Sequence, residues 1–254
     1  MKITRKDFLR LSGLSILAAG AKQAVRAVEC GSAAACGASP QPVRWGLVVD
    51  LKKCREKDSC NACIRACNAA HNVPQFNDRQ HEVKWIWTQP FATVFPFAQP
   101  LYSPENDIGV KVPLMCNHCA NPPCTRVCPT RATWKRDDGI VMMDWHRCIG
   151  CRYCIAACPY GSRSFNWQDP RPAIANINPD FPTRTKGVVE KCNFCDERLA
   201  RGQRPACVDA CPQDVFTFGN LADADSGPRR LLRVRFAVQR KPELGAGPSI
   251  YYLV

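Results

Sequence analysis

Three absences narrow the reading before any motif is considered. After residue 27 no stretch approaches the ~20 apolar residues that a bilayer-crossing helix needs, so no membrane span is expected in the mature chain. No C-x2-C pair is followed by histidine: Ile64, Ala120, Arg152, Ile155 and Asp196 follow Cys63, Cys119, Cys151, Cys154 and Cys195. Covalent attachment of c-type haem is thereby excluded. No catalytic acid, base or nucleophile stands out, which leaves an enzyme of its own kind without support. Acidic residues are also few, 22 against 35 basic ones, for a formal charge of +13. Clustered basic residues ordinarily suggest nucleic acid or an anionic membrane. That inference depends on what else the chain binds.

What is abundant is cysteine. The chain has 254 residues, 46% of them hydrophobic, and eighteen are cysteine. That is too many for ordinary buried residues, so disulfides, metal or clusters must account for most of them. Residues 1–27 read first as a signal peptide: a basic start, an apolar stretch from Leu9 through Leu17, Ala18 and Ala19, then small residues to Ala27. Within it, Thr4-Arg5-Lys6-Asp7-Phe8-Leu9-Arg10 resembles the twin-arginine export motif, with Lys6 in place of the second arginine. A general signal or an uncleaved anchor is the competing reading. Export of an already folded chain keeps ligating cysteines from being scrambled into disulfides, and it predicts a periplasmic location. Val25-Arg26-Ala27 is a tolerable cleavage site. Residues 28–44 are a Gly/Ala/Ser-rich linker with Cys30 and Cys36, for which a flexible disulfide or no role at all remain open.

The other sixteen cysteines form four quartets. Cys148, Cys151, Cys154 and Cys158 with Pro159 spell C-x2-C-x2-C-x3-C-P, the bacterial ferredoxin run for [4Fe-4S] clusters, in which the fourth cysteine serves a partner cluster. Two-residue gaps let backbone wrap a cube with N–H groups aimed at sulfur, and Gly150 eases the approach. One such run implies another, and Cys116, Cys119, Cys124 and Cys128 supply it before Pro129, with Asn121-Pro122-Pro123 as a rigid turn in the longer gap. Cys54, Cys60, Cys63 and Cys67 follow with Asn68 where the others have proline; Cys192, Cys195, Cys207 and Cys211 precede Pro212. All four quartets end in the same x3 spacing. Structural zinc favours two C-x2-C pairs and has no need of Cys-Pro endings; a disulfide framework has no need of regular quartets.

Four oxidised [4Fe-4S] centres would contribute about −8 together. Residues 1–27 carry a net +5, which leaves +8 for the rest, so the loaded mature protein is near neutral and no nucleic acid partner is expected. The basic residues read mainly as counter-charge to buried anionic clusters.

With these motifs, residues 45 to about 220 resemble the four-cluster ferredoxin-like subunits of membrane redox enzymes such as polysulfide reductase, nitrate reductase and formate dehydrogenase. The resemblance implies four crossed ligand sets: Cys54, Cys60 and Cys63 with Cys211; Cys192, Cys195 and Cys207 with Cys67; Cys116, Cys119 and Cys124 with Cys158; Cys148, Cys151 and Cys154 with Cys128. Further stretches, among them Trp45 to Leu51, Glu82 to Trp87, Gly139 to Asp144, Ser164 to Trp167, Phe181 to Arg184 and Lys241 to Leu244, are similar to the periplasmic subunit of the complex associated with dissimilatory sulfite reduction. That complex is the DsrMKJOP type, of which this subunit is the O component. By that resemblance the chain relays single electrons between a quinone-interacting integral membrane subunit and a multihaem cytochrome c. The relay subunit of a molybdopterin oxidoreductase is the alternative, and a structural zinc scaffold the alternative of another class.

The fold expected is α+β: tandem bacterial ferredoxin-like modules with sparse regular structure, in one domain over 45–254. An outer module, 45–110 plus 171–254, holds an inserted one, 111–170. Residues 131–136 and 140–144 flank Asp138-Gly139 as a hairpin. Extended segments are expected at 162–165 and 215–218, and a short helix at 197–201. His118 and His146 read as non-ligands. Trp85, Trp87, Phe91, Phe95 and Phe97 read as packing or a docking surface, and residues 249–254 as an edge strand or an arm on a partner.

Overall fold

The computed structural model describes residues 43–55, 60–97 and 111–254. The proposed signal peptide, almost all of the proposed linker, Cys30 and Cys36 lie outside the described residues. Strands are short, as expected of a chain whose backbone must repeatedly turn around cysteines: β1 Trp45–Asp50, β2 Ile86–Pro90, β3 Lys111–Met115, β4 Thr133–Lys135, β5 Val141–Met143, β6 Ser164–Phe165, β7 Val189–Glu190, β8 Phe216–Asn220, β9 Ala237–Val238 and β10 Ile250–Leu253. The helices are similarly brief, with Ala62–Ala70 and Gly227–Val234 the longest among the described residues. Ser226 caps the latter by accepting from the Arg229 N–H. No helix among the described residues is long and apolar enough to cross a membrane.

One four-stranded sheet, ordered β8-β1-β10-β9, joins early and late parts of the sequence. β1 runs antiparallel to β8, with Leu47 opposite Phe218, and parallel to β10, with Leu47 opposite Ile250. Val48, Val49, Ile250, Tyr252 and Leu253 are all buried and Tyr251 is half-buried, as strands covered on both faces require. Residues 250–253 therefore form an interior strand, and the edge strand or partner arm expected there is not what the chain does. Its parallel partner β1 claims one side and β9 the other.

The Asp138-Gly139 hairpin forms as β4 and β5, with Trp134 opposite Met142. Two further ladders cross the sequence limits expected for the insert: β2 pairs with β3, and β6 with β7. Where they meet, Trp85 stacks on His71 at 4.7 Å between ring centroids, and its indole N–H donates to Glu190 at 3.0 Å. Glu190 and Arg184, both with fully buried side chains, pair at 2.6 Å; Asn166 also donates to Glu190. Of the aromatic stretch, Trp85 and Phe95 are core residues, whereas Phe97 is fully exposed.

Candidate metal-cluster sites

Three of the four quartets share a backbone device that the spacing alone did not reveal. In their C-x2-C loops a residue between or at the cysteines takes a left-handed conformation: His118 (φ 41°), Gly150 (φ 71°), Arg152 (φ 62°), Phe194 (φ 58°) and Cys195 (φ 54°); between Cys60 and Cys63, by contrast, Asn61 has φ −131°. Such a residue reverses the chain locally, so that both sulfurs face one point instead of opposite sides of a strand or helix. A second left-handed residue follows each Cys-Pro at the third position after the cysteine: Arg131 (φ 53°), Gly161 (φ 64°) and Asp214 (φ 49°). Their N–H groups donate to the carbonyls of Cys128, Cys158 and Cys211. At Cys67 the proline is replaced by Asn68, the helix runs on to Ala70, and the left-handed residue comes later, at Asn72 (φ 53°). Gly150 is needed for contact as well as conformation, because a Cβ there would stand 2.4 Å from the Gly187 carbonyl oxygen.

These turns gather all sixteen predicted thiols into four groups, each composed of three cysteines from one quartet and the last from another. Burial first, then Cys211 and Cys60, pushes the Cys54 thiol up to about 11. Burial first, then Cys54 and Cys211, pushes Cys63 up to about 12. Cys67, buried, is raised by burial and then by Cys192, Cys207 and Cys195, and these four line one apolar recess with Leu47, Ile86, Met115 and Phe194. Burial, then Cys116, Cys124 and Cys158, raises Cys119 to about 12. Cys128, Cys148, Cys151 and Cys154 line a second recess with Thr130, Ala132, Met143 and Val189. Cys128 alone is lowered: burial pushes it up, but hydrogen bonds from the Thr130 hydroxyl and the N–H groups of Thr133, Thr130 and Ala132 outweigh that.

The groups also adjoin: thiols of the first, second and third pack into one apolar cluster, and thiols of the third and fourth into another. Cys63 of the first group raises Cys67 and Cys207 of the second; Cys116 of the third raises Cys192 of the second; and Cys124 of the third raises Cys154 of the fourth. Exposure differs along the row, since Cys60 is exposed whereas Cys67, Cys116 and Cys124 are buried.

Crowded neutral thiols explain none of the polar groups around them. Asn117, between Cys116 and Cys119, is 1% exposed, and both polar atoms of its amide lack a hydrogen-bond partner, which costs ~1–3 kcal/mol if nothing else is bound. Lys191 is 1% exposed, and its ammonium meets only the carbonyls of Val141 and Cys192. Arg240, buried, has two guanidinium nitrogens without a partner among the described residues; burial pushes its pKa down, opposed by Tyr252, Cys158 and Tyr160. Among the described residues neither cation has a carboxylate partner. All-sulfur donor sets wrapped in uncompensated cations and an unpaired amide fit a bound anionic iron-sulfur core.

His118 is buried, stacks on Phe194 at 3.8 Å and accepts a hydrogen bond from the Val141 N–H at 3.0 Å. Burial first, then Lys191 and Arg163, pushes its pKa well down. His146 is exposed. Sequence reasoning missed His71, whose Nδ1 lies 3.7 Å from Cys67 Sγ and whose Nε2 meets Glu197 at 2.9 Å. Its place four residues after Cys67 on a helical turn is the one signal for it.

Residues 109–173 and residues 147–215 each match a family profile described as a 4Fe-4S dicluster domain. The chain is 36% identical to the Hdr-like menaquinol oxidoreductase iron-sulfur subunit 1 of Archaeoglobus fulgidus, over 98% of this chain and 97% of that protein. It is 34% identical to the menaquinone reductase iron-sulfur cluster-binding subunit of Nitratidesulfovibrio vulgaris, over 83% of this chain and 89% of that one. It is also 34% identical to the B subunit of the polysulfide reductase of Wolinella succinogenes, over 82% and 93%. Two tandem dicluster domains make four [4Fe-4S] clusters the cofactor complement of the chain.

Proposed function

The chain belongs to the ferredoxin-like iron-sulfur subunits of membrane-associated, quinone-linked oxidoreductase complexes, and on that premise we propose that it is a linear four-site relay for single electrons. Bound clusters supply a one-electron valence change spread over their irons. The ligand sets we assign are Cys54, Cys60, Cys63 and Cys211; Cys67, Cys192, Cys195 and Cys207; Cys116, Cys119, Cys124 and Cys158; and Cys128, Cys148, Cys151 and Cys154. The observation that carries the reading is the packing of these groups against one another: thiols of the first, second and third share one apolar cluster, and thiols of the third and fourth share another. The protein residues do three things: the left-handed turns aim sulfurs, the apolar recesses exclude water, and the buried cations offset charge. It is an electron-transfer subunit and not a catalytic one.

For the partners, we propose a quinone-interacting integral membrane subunit at one end and a multihaem cytochrome c at the other, on the periplasmic side, in a complex of the DsrMKJOP type. The quoted sequence stretches and the twin-arginine-like segment at residues 4–10 support this. A relay subunit beside a molybdopterin-containing catalytic subunit is the second reading, favoured by the identity to the polysulfide reductase B subunit. Isolating the intact membrane assembly decides between them: a co-purifying multihaem cytochrome supports the first, and a large molybdenum protein in its place supports the second. Metal analysis of anaerobic protein is expected to give about 16 iron and about 16 acid-labile sulfide per chain. Zinc without sulfide would remove both readings.

A further inference from the structure

Arg163 precedes β6 and is 5% exposed. Its Nη2 donates to Cys124 Sγ at 3.0 Å and to Thr133 Oγ1 at 2.8 Å, and Nη1 lies 3.7 Å from Met143 Sδ. Among the described residues it forms no ion pair with a carboxylate. Arg184 makes the contrast, since its equally buried guanidinium meets Glu190 at 2.6 Å. Removing an unpaired guanidinium from water costs several kcal/mol, so the position of Arg163 is intelligible if an anion sits beside it, and sulfur is the anionic atom within reach.

Two groups of thiols share this one cation. Cys124 belongs to the third group and accepts the arginine's hydrogen bond; Cys154 belongs to the fourth, whose recess is lined by the Met143 that Nη1 also meets, and at both thiols the positive charge opposes burial. Cys54 and Cys63 of the first group have no cation of this kind among the influences on them.

We propose that Arg163 sets the potentials of the third and fourth cluster sites together, holding both higher than they would stand without it. Reduction adds one negative charge to a site, so a fixed positive charge and a donated hydrogen bond at its sulfur favour the reduced form. A guanidinium does not lose its proton in a protein. The electron arrives from the neighbouring site of the row, no proton moves at Arg163, and the bias is therefore independent of pH. The inference rests on the ligand assignment proposed above.

The test uses the full chain in its isolated assembly, with Arg163→Gln and Arg163→Lys beside the wild type. Iron and sulfide are counted first, and the midpoint potentials are then followed by electron paramagnetic resonance at two pH values. In Arg163→Gln, two of four midpoints should fall and two stay. The reduced-to-oxidised ratio of the affected pair at a fixed potential should drop about tenfold, equivalent to about 59 mV for one electron, by the same amount at each pH. Arg163→Lys, which keeps the charge, should restore most of the shift. Four unchanged midpoints at full iron content, or one uniform shift of all four, would overturn the proposal. If Arg163→Gln loses iron, Arg163→Lys decides: full iron with two slightly lowered midpoints supports the proposal, and loss of iron here too shows a purely structural role and overturns it. A wild-type chain without four clusters would overturn the ligand assignment itself, a failure visible before any variant is compared.

Discussion

The inner and outer cysteine groups solve one problem by different means. The third and fourth groups are built from residues 116–158, where tight C-x2-C turns and the β4–β5 hairpin lie close together in sequence, with the arginine they share following at 163. The first and second groups unite Cys54 to Cys67 with Cys192 to Cys211, and what brings those segments together is the sheet formed by β1, β8 and β10. Local turn geometry suffices for the inner pair; the outer pair depends on long-range closure, whose chain-entropy cost must be met by packing.

The strongest test of that contrast removes residues 250–254. With β10 gone, β1 loses its parallel partner, and iron should fall from about 16 to about 8 per chain as the outer sites empty and the inner ones remain; simultaneous loss of all four clusters would show that the two halves are not separable. Next in size is Arg184→Ala, which leaves Glu190 buried without its cation where the β6–β7 ladder joins the halves. The expected cost is ~3–5 kcal/mol in anaerobic denaturant unfolding. A narrower effect is expected of Gly150→Ala, whose Cβ would press on the Gly187 carbonyl in a left-handed residue. A destabilisation of ~1–3 kcal/mol should be accompanied by a disturbed signal from the Cys128, Cys148, Cys151 and Cys154 site alone. At the lower limit stands His146→Ala, an exposed side chain close in sequence to Cys148, for which stability should stay within about 0.5 kcal/mol with four unaltered potentials.

The inner half is the more legible from sequence, for the same reason. Its spacings are local, so the run from Cys148 to Pro159 announces both a turn and a ligand set, and Asp138-Gly139 announces a hairpin that forms where expected. Residues 250–253 suggest an edge because an apolar stretch reports that a strand exists but not which neighbours flank it; the parallel pairing of Leu47 with Ile250 has no local signal. The counter-charge role of the basic residues follows in bulk from composition, yet composition cannot single out Arg163, Lys191 and Arg240. The burial of Arg163 and Lys191, next to β6 and β7, follows from a ladder that crosses the expected module limits, and Arg240 is buried against Tyr160. The left-handed residue after each Cys-Pro is hidden similarly, since arginine, glycine and aspartate share no side-chain signature.

The parallel pairing of β1 with β10 has a bearing on biosynthesis. Every ligand cysteine we assign, from Cys54 to Cys211, is translated after Leu47 and before Ile250. At ordinary elongation rates the interval between Cys158 and Ile250 amounts to roughly 5–20 s, during which the nascent chain exposes complete inner quartets while the outer sheet still lacks a strand. The ligand cysteines in the middle of the sequence are thus all synthesised before the strand that closes the outer sheet.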